Sequence, residues 1–158
     1  MKKTTKSHVN AVPAGYHTVT PFLVVDNADE LIDFIKRAFN GKVESVYRQD
    51  DDKIINANVK IGDSTIMIAD AMGEMEPELA MLYLYVDDVD AVYQAALDAD
   101  GESLREIRDE FYGDRAGAVK DRWGNKWWIA THKEDIGEEE LGRRSKEAAK
   151  KREAQSTH

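Results

Sequence analysis

The residue types that usually carry catalysis or hold a metal are scarce in this chain. Cysteine is absent, which excludes thiolate nucleophiles, thiolate metal sites and disulfides. Of the four histidines, His8 and His158 stand in terminal segments, and His17 and His132 have no metal-binding spacing around them. The residues therefore predict no bound metal and no cofactor.

Nucleophilic and acid–base patterns are equally sparse. Ser45, Ser64 and Ser103 lack both the G-x-S-x-G turn and a nearby histidine that would activate a serine. No glycine-rich phosphate-binding motif follows a strand-like segment, so nucleotide and flavin cofactors have no recognisable site. The acidic run 50–52 and the acidic pair 87–88 are typical of a hairpin loop and of a helix start.

Several polar and aromatic side chains are better suited to binding a ligand than to reacting with one. The segment FYGDR ends in Arg115, which could pair with Asp114 as a structural clamp or contact an anionic ligand. Strand alternation places Trp127 and Trp128 on opposite faces, so one packs beneath a helix while the other faces a cleft. The alternative is that both tryptophans belong to the core. The candidate ligand-binding residues are Asn56, Asn58, Tyr85, Tyr112, Arg115 and Trp128.

The elements that must position these residues occur twice. The segment FLVVDNADELIDFI from Phe22 matches YLYVDDVDAVYQAA from Tyr83 at a constant offset of 61 residues. The same offset returns near the end of each copy, where Ile68 corresponds to Ile129. Such self-similarity is typical of a duplicated structural unit, and two joined units would enclose a cleft for a small ligand.

Each copy has the pattern of one strand, one helix and three further strands. Asn27 and Glu30 predict a capping box at the start of the first helix, and Gly41 predicts its end in a left-handed turn. Asp87 or Asp88 is predicted to cap the second helix. The predicted strands are HTVTPFLVV, KVESVYR, DKIINANVKI and STIMIAD in the first copy, and MLYLYV, ESLREI, AGAVK and NKWWIATH in the second.

The predicted fold class is α+β, with tandem βαβββ units and a peripheral C-terminal helix. We expect a flexible arm over residues 1–15 and a two-unit domain over 16–132, built from 16–72 and 80–132. A charged helix or tail is expected over 133–158, where acidic residues precede basic ones as the helix dipole favours. Within DKIINANVKI, alternation predicts Ile55, Ala57, Val59 and Ile61 on one face and Asn56, Asn58 and Lys60 on the other.

Composition narrows the class of partner. The chain has 158 residues, 42% of them hydrophobic, which is enough for one compact core. Its formal net charge of −9 would repel a phosphate backbone, so nucleic acid is not an expected partner. The sequence contains no apolar run long enough for a membrane span and no secretory signal pattern, which predicts a cytoplasmic protein.

The repeat and its motifs resemble a known superfamily. The tandem βαβββ pattern, with a D-x-x-G-N turn (DRWGN) before the last strand, resembles the vicinal oxygen chelate superfamily of glyoxalase I, bleomycin and fosfomycin resistance proteins and extradiol dioxygenases. The segments TPFLVVDNADELIDF and FYGDRAGAVKDRWGNKWWIATHKED are similar to its PhnB-like branch. The resemblance implies sheets curled into a half-barrel cup, often completed in a homodimer, where many members bind a divalent metal.

The metal-binding positions that the resemblance implies carry unsuitable side chains. They fall near Thr20, Met81 and Trp128, where relatives have histidine, glutamate or glutamine. Asn56 and Asn58 stand where many PhnB-like relatives have histidine and glutamate, and neutral amides are weak ligands. The resemblance therefore implies the scaffold without its metal site.

Three functional hypotheses remain open at this point. The first is a metal-free homodimer that binds a planar or amphipathic small molecule in the cup. The second is a metal-dependent lyase, isomerase or dioxygenase with a non-standard site that includes His17 or His132. The third is an interaction module with a filled cleft and an exposed apolar patch.

Overall fold

The computed structural model describes residues 9–157 of the chain. His8, His158 and the first part of the expected arm over 1–15 lie outside the described residues. Within them the chain forms eight strands and three helices in the order β1 (Phe22–Val25), α1 (Ala28–Phe39), β2 (Lys42–Arg48), β3 (Ile54–Ile61), β4 (Ser64–Asp70), β5 (Met81–Tyr85), α2 (Val89–Asp98), β6 (Glu102–Asp109), β7 (Asp114–Lys120), β8 (Lys126–His132) and α3 (Glu138–Ser156).

The strands form two open four-stranded sheets, and the predicted tandem βαβββ pattern is confirmed. The first sheet has the order β1-β4-β3-β2 and the second β5-β8-β7-β6. In each sheet the first and last strands of the unit are parallel, and the remaining pairs are antiparallel. Backbone contacts divide the chain into unit 1, which ends at Glu78, and unit 2, which begins at Leu79 and also takes in Arg37–Phe39.

The register of the two sheets repeats at the offset seen in the sequence. Phe22 pairs with Met67 in unit 1, and Tyr83 pairs with Trp128 in unit 2. Tyr83 and Trp128 each stand 61 positions after their counterparts Phe22 and Met67. Equivalent positions of the two sheets can therefore be compared one by one.

The core of unit 1 differs in one strand from the expected alternation. Ala57 and Val59 are fully buried as expected, but Ile55 is 47% exposed and Ile54 is buried instead. The pairing of β2 with β3 shifts between Tyr47 and Arg48, and this irregularity reverses the facing of the residues before Asn56. The apolar face of unit 1 is completed by Leu23, Val25, Leu31, Ile35, Ile66 and Ile68, all buried.

The start of α1 is stabilised from a distant strand, and the predicted capping box is wrong. Asn27 adopts a left-handed conformation with φ 64°, and its amide donates to Glu30 instead of accepting a backbone N–H. The buried carboxylate of Asp70 takes that role, because its Oδ1 accepts from the Ala28 N–H at 2.8 Å.

The end of α1 also differs from expectation. Asn40, with φ 53°, occupies the left-handed position that was assigned to Gly41. Asparagine tolerates this conformation better than most residues, since its short polar side chain can bond locally.

The start of α2 matches its prediction. Asp88 Oδ1 accepts from the Ala91 N–H at 3.1 Å, so Asp88 is the cap. Thr131 at the end of β8 adds a second acceptor, because its Oγ1 accepts from the Val89 N–H at 2.9 Å. The first turn of α2 is therefore held both locally and from the sheet.

The core of unit 2 includes the turn before β8. Trp127 is fully buried, and its ring centroid lies 4.9 Å from that of Phe39. Its indole N–H donates to Asp121 Oδ2 at 2.9 Å. Asp121 also accepts from the backbone N–H groups of Trp123 and Asn125 and from the Asn125 amide. The D-x-x-G-N motif therefore serves to hold this turn.

The C-terminal helix is peripheral, as predicted. None of the described residues of α3 is buried, and its charged side chains pair along its own surface, as between Arg143 and Glu140. No helix in the described part of the chain combines the length and apolar character that crossing a membrane requires.

Candidate ligand-binding site

The sheet of unit 2 presents a row of four neighbouring residues, three of them with large side chains, on the face opposite α2. The strand register places Tyr83, Trp128, Ala118 and Arg105 side by side on β5, β8, β7 and β6. The rings of Tyr83 and Trp128 are parallel to within 6°, with their centroids 6.2 Å apart. The guanidinium carbon of Arg105 lies 5.3 Å from the centroid of the Trp128 ring, in cation–π contact. We call this row the aromatic row.

A second row next to it has small residues in the middle. Tyr85 on β5 is followed across the sheet by Ala130, Ala116 and Arg108. The tyrosine is 65% exposed, whereas both alanines are fully buried at the level of the sheet. The two rows therefore have ring systems at one side, arginines at the other and alanines between them.

A cleft of about 800 Å³ opens over these rows. The sheet, the loop after β6 and the C-terminal half of α3 all contribute to its lining. The lining residues are Met81, Tyr83, Arg105, Arg108, Asp109, Glu110, Phe111, Tyr112, Trp128, Ala148, Lys151, Arg152 and Gln155.

A buried carboxylate organises the polar end of the same face. Asp114 is only 4% exposed, and its Oδ2 accepts from the hydroxyls of Tyr83 and Tyr85 at 3.3 and 3.0 Å. Its Oδ1 lies 2.8 Å from His132 Nδ1, and the other ring nitrogen of His132 lies 2.8 Å from Asp135. Asp114 thus fixes the orientation of two phenols and one imidazole.

The electrostatics of this cluster raise the pKa of its two tyrosines and of its histidine. Burial, followed by a hydrogen bond with Tyr112, raises the pKa of the Tyr83 phenol. The hydrogen bond to Asp114 is the main cause that raises the pKa of Tyr85. Asp114, followed by Asp135, raises the pKa of His132. Neither phenol is a proton acceptor near neutral pH, and the imidazolium is favoured.

Arg115 lies on the other face of the sheet and does not pair with Asp114, which was one of the possibilities left open for it. Successive residues of a strand point to opposite faces, so Arg115 faces α2 while Asp114 faces the aromatic row. Its guanidinium makes two 2.9 Å bonds to Asp90 in the first turn of α2 and one of 3.3 Å to Asp109. These contacts favour the structural clamp over contact with a ligand.

The predicted site residues are divided between the two units. Tyr85, Tyr112 and Trp128 come together in unit 2, where Tyr112 and Trp128 both line the cleft and Tyr85 stands beside them. Asn56 and Asn58 belong to the sheet of unit 1, on the face opposite its apolar core.

The two asparagines are incompletely hydrogen-bonded. Asn58 donates to the Ser45 hydroxyl at 2.7 Å. The Oδ1 atoms of Asn56 and Asn58 are buried but accept no hydrogen bond from the described residues. Buried unpaired acceptors are costly, which makes the positions suited to a ligand donor or to water.

The donor set does not fit a divalent metal. The three expected ligand positions offer the hydroxyl of Thr20, the thioether of Met81 and the indole of Trp128, and none of these is a carboxylate or imidazole. Both nitrogens of His132 are already engaged by carboxylates on opposite sides of its ring. Within residues 9–157, no group of three histidine or acidic side chains is arranged so that it could hold a metal ion.

Sequence reasoning missed several cleft residues. Arg105 and Arg108 were not singled out because the pairing of β6 with β7 is irregular between them, which hides their shared face from a simple alternation count. Lys151 and Arg152 lie on α3, whose sequence has no apolar stripe that would have indicated a docking direction. The internal repeat offered one signal for Arg105. It aligns this arginine with the uncharged Ser45 of the first copy, which marks a position where the two copies differ in charge.

The tandem open sheets and their shared register define the chain as a glyoxalase-like protein. A model of the Glyoxalase/Bleomycin resistance protein/Dioxygenase superfamily matches residues 15–129, and the chain belongs to that superfamily. The resemblance inferred from the sequence is thereby confirmed.

The chain is also similar in sequence to a curated relative and in fold to solved structures. Uncharacterized protein Mb0911c of Mycobacterium bovis is 31% identical over 144 residues, which cover 84% of this chain and 92% of that protein. The crystal structure of TioX from Micromonospora sp. ML1 has a TM-score of 0.60 at 17% identity, covering 72% of this chain and 98% of its own. A PhnB protein from Bacillus cereus has a TM-score of 0.59 at 20% identity, covering 73% of this chain and 99% of its own.

Proposed function

We propose that this superfamily member is a metal-free binding protein for a planar or amphipathic small molecule, held at the aromatic row of unit 2. The proposal rests on one observation: the parallel rings of Tyr83 and Trp128, with Arg105 beside them, border an open cleft of about 800 Å³. Clefts of roughly 300–1,000 Å³ with aromatic linings and a few polar groups are typical ligand sites.

The shape of the face supports a flat ligand. Ala116, Ala118 and Ala130 leave space beside the rings, and a planar molecule laid there would contact Trp128 and Tyr83 at once. Each favourable ring–ring contact contributes about 1 kcal/mol beyond the apolar area that it buries. Trp128 also stands where the resemblance implies a metal-binding carboxylate, so the same position has aromatic instead of coordinating chemistry.

The polar cluster supports binding over catalysis. Asp114 already has three partners, and the raised pKa values of Tyr83 and Tyr85 leave their phenols as hydrogen-bond donors. A metal-dependent reaction through His132 would require displacing Asp114 or Asp135 from its ring. No observed contact favours that alternative.

Two further parts of the proposal concern the setting of the protein. We propose a homodimer, which is supported by apolar side chains left exposed on unit 1, such as Phe22 at 44%, Tyr47 at 61% and Ile55 at 47%. We also propose a cytoplasmic location, which is consistent with the absence of cysteine. Sedimentation velocity tests the first part, and a monomer at all micromolar concentrations would contradict it.

The binding proposal is tested by calorimetry with planar aromatic compounds on chelator-treated protein. We expect Trp128→Leu, which keeps apolar volume but removes the ring, to weaken binding about fivefold or more, as the loss of ring contacts requires. Trp123→Leu is the matched control, because Trp123 lies in the turn before β8 and does not line the cleft.

Two outcomes would contradict the proposal. Equal affinity in the wild type and Trp128→Leu would show that the ligand lies elsewhere. Binding that disappears after chelation and returns with a divalent ion would restore the metal-dependent hypothesis.

A further inference from the structure

The cleft has the opposite charge balance to the chain that contains it. The whole chain has a formal net charge of −9. The cleft, in contrast, is lined by four basic side chains and only two acidic ones. A local excess of positive charge in an acidic protein indicates a preference for anionic ligands.

The basic groups on the sheet are only partly neutralised. Arg105 and Arg108 both bond to the same oxygen of Glu110, whose side chain is 7% exposed. One carboxylate therefore serves two guanidinium groups. The other acidic lining residue, Asp109, also bonds to Arg115 from the far side of the sheet.

The basic groups on α3 are still more available. Arg152 is exposed and forms no ion pair within residues 9–157, and Lys151 has only a 3.6 Å contact with Glu147 on its own helix. Both line the cleft together with Trp128. Arginine is suited to this position, because its planar fork binds carboxylates through two parallel hydrogen bonds.

A cationic ligand is disfavoured by the same geometry. An indole ring attracts cations over its face, but Arg105 already occupies a position over the Trp128 ring. A second cation would meet Arg105 and Arg152, while both acidic residues in the described lining, Asp109 and Glu110, are already paired with arginines.

We propose that the ligand is a planar aromatic anion, such as an aromatic carboxylate, whose ring packs against the Trp128 side chain next to Arg105 while its anionic group pairs with Arg152 of α3. This inference rests on the proposed function and names its ligand class. In this arrangement α3 contributes directly to the binding site. Its basic side chains favour a negatively charged ligand, and the sheet favours a flat one.

The test uses three probes that share one ring system and differ only in charge: 2-naphthoate, 2-naphthamide and 2-naphthylmethylammonium. Calorimetry on the full chain at low salt is expected to give naphthoate the tightest binding, about fivefold tighter than naphthamide, with the ammonium weakest. Raising the ionic strength is expected to reduce the preference for naphthoate, since exposed charges are screened.

Variants separate the charge inference from the binding proposal. Arg152→Gln is expected to weaken naphthoate about fivefold and to leave naphthamide unchanged. Lys150→Gln is the matched control, because it removes one positive charge from the same helix outside the cleft.

Equal affinities for naphthoate and naphthamide, with both lost in Trp128→Leu, would overturn the charge inference alone. Tighter binding of the ammonium would also overturn it. Failure of all three probes to bind would overturn the inference together with the proposed function.

Discussion

The two sheets share one backbone pattern but present different chemistry on the face away from their helices. In unit 1 the row equivalent to the aromatic row contains Phe22, Met67, Asn58 and Ser45. It is uncharged, and its asparagine donates to its serine. In unit 2 the same four positions hold two stacked rings, an alanine and an arginine, described above. Duplication therefore preserved the register of the strands, while substitution at a few equivalent positions concentrated the binding chemistry in one sheet.

The two units also fix their helix to the sheet through similar contacts made by residues of different strands. Each helix has an aspartate in its first turn that an arginine holds against the sheet: Asp29 with Arg48, and Asp90 with Arg115. The aspartates are equivalent at the 61-residue offset, but the arginines come from the end of β2 and the start of β7. Both units therefore have an arginine–aspartate contact between a strand and the helix, but the arginine comes from a different strand in each unit.

The largest difference between the units is expected in the turn before the last strand. In unit 2, Asp121→Ala would remove the acceptor of four hydrogen bonds from buried or half-buried donors, and we expect it to lower the free energy of unfolding by about 4 kcal/mol. The corresponding turn of unit 1 has exposed Asp63, whose side chain bonds only to the Ser64 hydroxyl within residues 9–157, so Asp63→Ala should cost less than about 0.5 kcal/mol. Urea unfolding measures both, and similar losses would show that the two turns are energetically equivalent.

A second comparison concerns the strand-end residues that hold the helix starts. Asp70 accepts from the backbone N–H groups of Ala28 and Ile54, whereas Thr131 accepts from one N–H and donates to the Val86 carbonyl. Bonds to a carboxylate are stronger than those to a hydroxyl, so Asp70→Ala should cost about 3 kcal/mol and Thr131→Val about 1.5 kcal/mol. Thermal unfolding of both variants checks the order, and the reverse order would contradict it.

The two arginine clamps are expected to contribute smaller and similar amounts. Their side chains are about one-third exposed, at 34% for Arg48 and 31% for Arg115, so solvent and salt weaken both pairs. Arg48→Ala and Arg115→Ala should each lower the thermal midpoint slightly in the absence of ligand, and less at high salt. An unchanged midpoint in Arg115→Ala, together with weaker naphthoate binding, would instead favour a ligand contact.

The smallest effect is a pH dependence that belongs to unit 2 alone. Asp114 and Asp135 raise the pKa of His132 above its unfolded value of about 6.5. The contact therefore stabilises the fold fully below that pH, and its contribution is lost as the pH rises through the folded-state value. The midpoint difference between wild type and His132→Gln should shrink as the pH rises from 5.5 to about 8.5.

Exposed His17 in unit 1 provides the matched control for that series. His17→Gln removes a histidine whose ring has no carboxylate contact among the described residues, so the His132→Gln series is compared with it. A constant difference between wild type and His132→Gln across the range would mean that the imidazole contributes only as a neutral hydrogen-bonding group.

The sequence alone determined the order of elements, the tandem repeat and the split of Trp127 from Trp128. These features follow from patterns with a period of two or 3.6 residues and from one constant offset, all of which are legible along the chain. The structure shows the same offset, because the strand pairing of Phe22 with Met67 recurs 61 residues later as the pairing of Tyr83 with Trp128.

The tertiary structure decided which residue meets which. Asp70 replaces Asn27 at the start of α1 across 42 residues, and Arg115 selects Asp90 across 25 residues instead of neighbouring Asp114. The presence of Arg152 and Trp128 in the lining of one cleft likewise depends on how α3 packs within unit 2. Such partnerships are set by the packing of elements that are distant in the chain, and local sequence patterns carry no information about the direction from which a distant side chain arrives.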